Sequence, residues 1–114
     1  MKPVVYGIKN CDTMKKAFAW LEKHKIDYEF HDYKKAGVPP GKLMAWAKQV
    51  GWEKLANTRG PTWRRIPEAK KAGLNEARAL ALLEENASAI KRPVVERGSK
   101  LLVGFDPDEY LKSL

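Results

Sequence analysis

"PVVYGIKNCDTMKKAFAWLEKHKIDYEFHDY", residues 3–33, decides the fold. Its opening "PVVYGI" is β-branched and aromatic enough for a buried strand. "KNCD" then breaks the apolar run. From Asp12 onward Met14, Ala17, Phe18 and Leu21 recur at i, i+3, i+4 and i+7, the apolar stripe of an amphipathic helix. Asp12 or Thr13 can accept a bond from the free backbone N–H groups at its start. "DYEFHDY" (27–33) alternates, with Tyr28 and Phe30 on one face, and predicts a second strand. Two apolar strands joined by such a helix make a βαβ unit with a parallel pair.

Beyond this unit the spacing predicts a helix with Pro40 in its first turn, Leu43, Trp46, Ala47 and Val50 on its apolar side, and Gly51 as its stop. Pro61 and Pro67 break residues 52–73 into short helices and turns. "NEARALALLEENASAI" (75–90) reads as one amphipathic helix capped by Asn75, with Leu80, Leu83, Ala87 and Ile90 inward. "RPVVERGSKLLVGF" (92–105) predicts a β-hairpin turning at Gly98 and Ser99. "DPDEYLKSL" closes the chain as a short helix, with Asp106 as cap and Pro107 in the first position. The order is βαβ, a helical block, then ββα. It fits an α/β, thioredoxin-like fold with a helical insertion, at about residues 38–90, between its two halves. An unrelated α+β sandwich is the other layout this pattern allows.

A chain of 114 residues predicts a single domain, 1–114. Its longest apolar runs, "VVYGI" and "LLVGF", fall far short of the roughly 20 residues a membrane helix needs. The N-terminus turns polar too soon for a signal peptide, so a cytoplasmic protein with no membrane partner is expected. The formal charge of +8 fits nucleic acid, an acidic protein or an anionic small substrate, or simply a solvated cationic surface. No basic tail, RNP-like motif or zinc-finger spacing is present, so direct nucleic-acid binding is not expected. The one cysteine excludes an internal disulfide, and with two histidines and no Cys/His cluster no metal site is expected.

Cys11 therefore carries whatever thiol chemistry the chain has. Lone cysteines are often buried and inert. Against that, Asn10, Asp12 and Thr13 are polar company, and position 11 lies outside the apolar stripe. A thiol just ahead of a helix faces unpaired N–H groups and the positive end of the dipole, which favour thiolate. Lys9, Lys15 and Lys16 would add to this if close, and Asp12 would oppose it. Any second sulfur must come from another molecule.

Two arginine stretches are candidates to complete a site. Arg92 precedes Pro93 at the start of a strand, where an X–Pro bond can be cis and the backbone can meet a substrate. Arg59, Arg64 and Arg65 flank the Gly-Pro turn in "NTRGPTWRR", where a guanidinium could clamp a carboxylate or oxyanion, or simply be solvated. Trp20, Trp46 and Trp52 fit helix faces and predict packing. Trp63, close to these arginines, is left open. His24 and His31 have no partner in a recognisable arrangement.

These residues together, "YGIKNCDTMKKAFAWLEKHKIDYEFHDYKKAGV", "NTRGPTWRRI", "KRPVV" and "KLLVGFDPDEYLKSL", resemble the arsenate reductase (ArsC) family. The likeness is greatest to its small YffB-like branch, which is grouped with the Spx and MgsR regulators. The resemblance implies a thioredoxin-like fold with a helical insertion and Cys11 as nucleophile. It also implies that Arg92, joined to Pro93 by a cis bond, binds an anionic substrate or a glutathione carboxylate. Arg59 would stand beside the site, and Asn10 and Thr13 of "NCDT" complete the implied substrate- and glutathione-binding set. Glutathione is then the co-substrate, with no metal or prosthetic group, and the other substrate is an oxidised thiol or an oxyanion. Arsenate reductases carry a third arginine after the hairpin, where this chain has Phe105. Oxidation-sensing Spx proteins carry a CxxC, where this chain has Met14. The expected function is glutathione-dependent thiol reduction. The alternatives are a regulator that binds RNA polymerase without catalysis, and arsenate reduction proper.

Overall fold

The computed structural model describes all 114 residues, in two compact units: Met1–Gly37 with Arg92–Leu114, and Val38–Lys91. The first unit is built on a four-stranded sheet. Strand β1 (Val4–Gly7) leads into helix α1 (Asp12–Lys23), then strand β2 (Glu29–Asp32) and the single turn α2 (Tyr33–Ala36). After the second unit the chain returns as strands β3 (Val94–Arg97) and β4 (Lys100–Val103) and helix α8 (Pro107–Ser113). The strand order is β2-β1-β3-β4, with β1 and β2 parallel and the other neighbouring pairs antiparallel. This is the thioredoxin-like arrangement, with the helical stretch inserted in sequence between its halves.

The βαβ prediction fails only at its edges. Met14, Ala17 and Leu21 are buried and pack with Val5, Val95, Leu102 and Tyr110. Neither Asp12 nor Thr13 caps α1. Cys11 takes that position, with extended backbone (φ −141°, ψ 133°), and Asp12 is the first helical residue. There its carboxylate still favours the helix dipole. The hairpin turns at Gly98, whose φ of +61° costs glycine little. At the closing helix Asp106 accepts from the Asp108 N–H at 3.0 Å, and Pro107 fills the first position.

The second unit holds five helices: α3 (Lys42–Val50), α4 (Trp52–Leu55), α5 (Pro61–Arg65), α6 (Glu68–Lys71) and α7 (Glu76–Glu85), with a 3-10 turn at Ala87–Ala89. Its ends meet through an isolated bridge between Ala56 and Ile90, with Asn57 N–H donating to Ala89 and Lys91 N–H to Leu55. Three details depart from the expected pattern. Pro40 lies in a turn ahead of α3, because Gly41, in a left-handed conformation, is the cap. The helix expected over 75–90 ends at Glu85, where the Asn86 side chain donates to the Leu82 carbonyl at 2.9 Å. The Asn86 backbone N–H donates to the same carbonyl, and the residue itself leaves the helical conformation (φ −128°, ψ 67°). Trp63 is buried, stacked on Trp52 at 6.5 Å with Lys71 Nζ 5.9 Å above its ring, which accounts for it as packing. No helix is long and apolar enough to cross a membrane.

Candidate active site

Cys11 is half-buried at the junction of β1 and α1, against the rim of the Val5–Tyr110 core. Its carbonyl accepts the Lys15 N–H at 2.9 Å, the first bond of α1. Burial pushes the thiol pKa up. The Met14 backbone N–H, a hydrogen bond from the Arg92 side chain, the Thr13 N–H and the Arg92 charge together outweigh burial, so the net shift is downward. The cation that acts on the sulfur is thus Arg92. Lys9, Lys15 and Lys16 are exposed to solvent.

Arg92 reaches the thiol because β3 lies beside β1 in the sheet, so the residues ahead of Val94 stand near the end of β1. The Arg92–Pro93 peptide bond is cis. The Pro93 carbonyl accepts the Gly104 N–H at 2.8 Å, which ties this step to the end of β4. The Pro93 ring is fully buried, so what it contributes at this step is the placement of Arg92.

The chain thus brings together Cys11, the backbone of Thr13, and Arg92 with Pro93. Asn10 is exposed one residue ahead of the thiol. Arg59 belongs to the helical unit, exposed in the turn where Gly60 N–H donates to Asn57. Arg64 and Arg65 are exposed on α5 of that unit. His24 packs on Trp20 at 4.1 Å, and His31 Nε2 donates to the Gly37 carbonyl at 2.8 Å. No group of three or more His, Cys, Asp or Glu side chains is placed to hold a metal ion.

Sequence reasoning passed over a second polar layer. Tyr6 donates to Glu96 Oε1 at 2.7 Å. Burial, followed by that bond and the Glu96 charge, pushes the Tyr6 phenol well above its ordinary range. Tyr33, buried at the start of α2, is pushed up chiefly by burial, with Tyr6 and Glu96 adding and Arg92 opposing. Arg92 therefore acts on both Cys11 and Tyr33. The alternation in "DYEFHDY" puts His31 and Tyr33 on the parity opposite Tyr28 and Phe30, a signal that could have found Tyr33. Phe105 is half-buried, edge-on to Tyr110 at 5.1 Å.

A sheet of this order with one polarised thiol at the β1–α1 junction defines a thioredoxin-fold thiol protein. The chain matches the ArsC family over residues 6–113 and belongs to it, a family of thiol reductases. It is similar to the solved YffB protein, with 50% identity, 99% of both chains covered and a TM-score of 0.96. The solution structure of an arsenate reductase (ArsC) related protein from Brucella melitensis is also 50% identical, covering 99% of this chain and 94% of that one, with a TM-score of 0.78. At greater distance, the global transcriptional regulator Spx of Streptococcus pyogenes is 26% identical over 102 residues, 88% of this chain and 75% of that protein.

Proposed function

We propose that the protein is a cytoplasmic, glutathione-dependent thiol reductase. One observation carries this reading: the β1–β3 pairing places Arg92 at the thiol at the start of α1, where with two backbone N–H groups it lowers the thiol pKa and favours thiolate. The Cys11 thiolate attacks the glutathionyl sulfur of a mixed disulfide. That S–S bond breaks, and its electron pair leaves with the substrate sulfur, which takes a proton from water. Cys11 is left bonded to glutathione. The chain holds one cysteine, so the resolving thiol comes from outside. A second glutathione thiolate attacks the mixed disulfide, releases glutathione disulfide and returns the Cys11 thiolate. The net reaction consumes one glutathione and yields a free substrate thiol. Arg92, with Asn10 and Thr13, orients the glutathione carboxylates.

Turnover of the mixed disulfide of glutathione and 2-mercaptoethanol tests this. Cys11→Ser is expected to abolish it. Arg92→Ala is expected to slow it about 10- to 100-fold, the worth of about 1.5–3 kcal/mol for a hydrogen bond to a charged group. Full activity in Cys11→Ser would overturn the mechanism. Arsenate reduction ranks behind, because Phe105 occupies the place of an oxyanion-binding arginine. No arsenate-dependent turnover is expected.

The likeness to Spx motivates a second reading, a regulator that docks on RNA polymerase through its basic surface. Specific co-purification of polymerase with Cys11→Ser, in the absence of disulfide turnover by the wild type, would favour it.

A further inference from the structure

Glutathione explains the cations near Cys11 but not the apolar surface beside them. A groove of about 360 Å³ opens between α1 and β2, lined by Lys9, Asn10, Lys15, Phe18, Tyr28 and Phe30. Lys15 and Phe18 follow Cys11 by four and seven positions, so they lie on the helix face that the cysteine heads. Phe18 stacks on Tyr28 at 5.4 Å and meets Phe30 edge-on at 5.1 Å. All three rings stay half-exposed, and two lysines frame the apolar floor. Such a floor suits an aromatic or large aliphatic side chain, and the lysines suit a neighbouring carboxylate.

Glutathione consists of two carboxylates, an amine, two amides and a thiol, with no large apolar group. Its half of a mixed disulfide has no use for this floor. The other half does. We propose that the groove holds the apolar, acidic flank of a glutathionylated protein, seating the leaving cysteine's own polypeptide while glutathione is handed to Cys11. The inference rests on the reductase reading above and adds its substrate class. Seven helical positions from Cys11 to Phe18 rise about 10 Å, a span an extended peptide covers in about three residues. The recognised side chain therefore lies about three residues from the oxidised cysteine. The chemistry is the exchange already given: the substrate S–S bond breaks, the Cys11–glutathione S–S bond forms, and the peptide leaves as a thiolate that takes a proton from water.

Two synthetic glutathionylated peptides test this. One carries Phe next to Glu three residues to either side of its cysteine, and the other carries Ser next to Lys at the same positions. The wild type is expected to show a kcat/KM about tenfold higher for the Phe–Glu peptide. That ratio should fall towards one in Phe30→Ser and in Tyr28→Ser. As a ratio within one variant, it is insensitive to loss of folded enzyme. Equal turnover of both peptides by wild type that reduces the 2-mercaptoethanol mixed disulfide would overturn the inference and leave the reductase reading standing. A preference that persists in both variants would overturn the assignment to this groove. No turnover of any of the three disulfides would overturn the reductase reading and the inference with it.

Discussion

At the scale of single residues, the site is a contest over one sulfur. Burial alone would push the Cys11 thiol pKa up, and Arg92 with the Met14 and Thr13 N–H groups turns the net shift downward. The rate of alkylation against pH should therefore show a midpoint below the free-thiol value of about 8.5. Arg92→Ala should move it up. An unchanged midpoint would mean that Arg92 does not act on the sulfur. The same shift couples to stability. A depressed thiol pKa adds stability that is present above about pH 8.5 and is lost as pH falls through the lower folded value. The melting temperature of wild type relative to Cys11→Ser should rise with pH across that window. A flat difference would contradict the shift. Glu96 offers a separate residue-scale test. Tyr6→Phe removes the 2.7 Å bond to its carboxylate and should cost about 1.5–3 kcal/mol in urea unfolding.

At the scale of elements, β1 and α1 are locked together where the thiol stands. A side chain on Gly7 would collide with Sδ and Cε of Met14, the flexible end of a fully buried side chain that must then repack. Gly7→Ala should cost about 1–3 kcal/mol by overpacking, read as a lower urea midpoint. In the helical unit, Asn75 accepts the Arg78 N–H at 2.9 Å, so Asn75→Ala should cost about 1 kcal/mol. The elements legible in the sequence are those whose apolar spacing and terminal chemistry agree. Met14, Ala17 and Leu21 mark α1, Gly98 marks the hairpin turn, and Asp106 with Pro107 marks the last helix. The end of α7 was not legible, because apolar spacing runs through Asn86 while its backbone leaves the helical conformation there. The cap of α1 was missed for a similar reason. A cysteine is not a capping residue, so Asp12 and Thr13 drew the expectation. The thiol's position was legible from the strand–helix junction. The balance acting on it was not, because the reach of Arg92 depends on β3 lying beside β1, a contact between residues far apart in sequence.

At the scale of the whole molecule, charge is the dominant property. A formal +8 concentrates anions near the surface whatever the site does. Turnover of anionic disulfides should therefore fall about two- to tenfold between low and physiological ionic strength. A neutral disulfide should respond far less, and equal salt dependence of the two would show that charge plays no part in capture. The chain termini are held by one residue: Arg97 donates to the Met1 carbonyl at 3.0 Å and to that of Ser113 at 3.4 Å. The sheet thereby fixes both ends of the unit that carries the thiol. The account's central claim is that Cys11 carries glutathione and that Arg92 makes it able to do so. Intact-mass measurement after exposure to glutathione disulfide tests this most directly. The account predicts one glutathione per chain, removed by free glutathione, absent in Cys11→Ser and formed about tenfold or more slowly in Arg92→Ala. No adduct on the wild type, or an adduct formed as fast without Arg92, would contradict it.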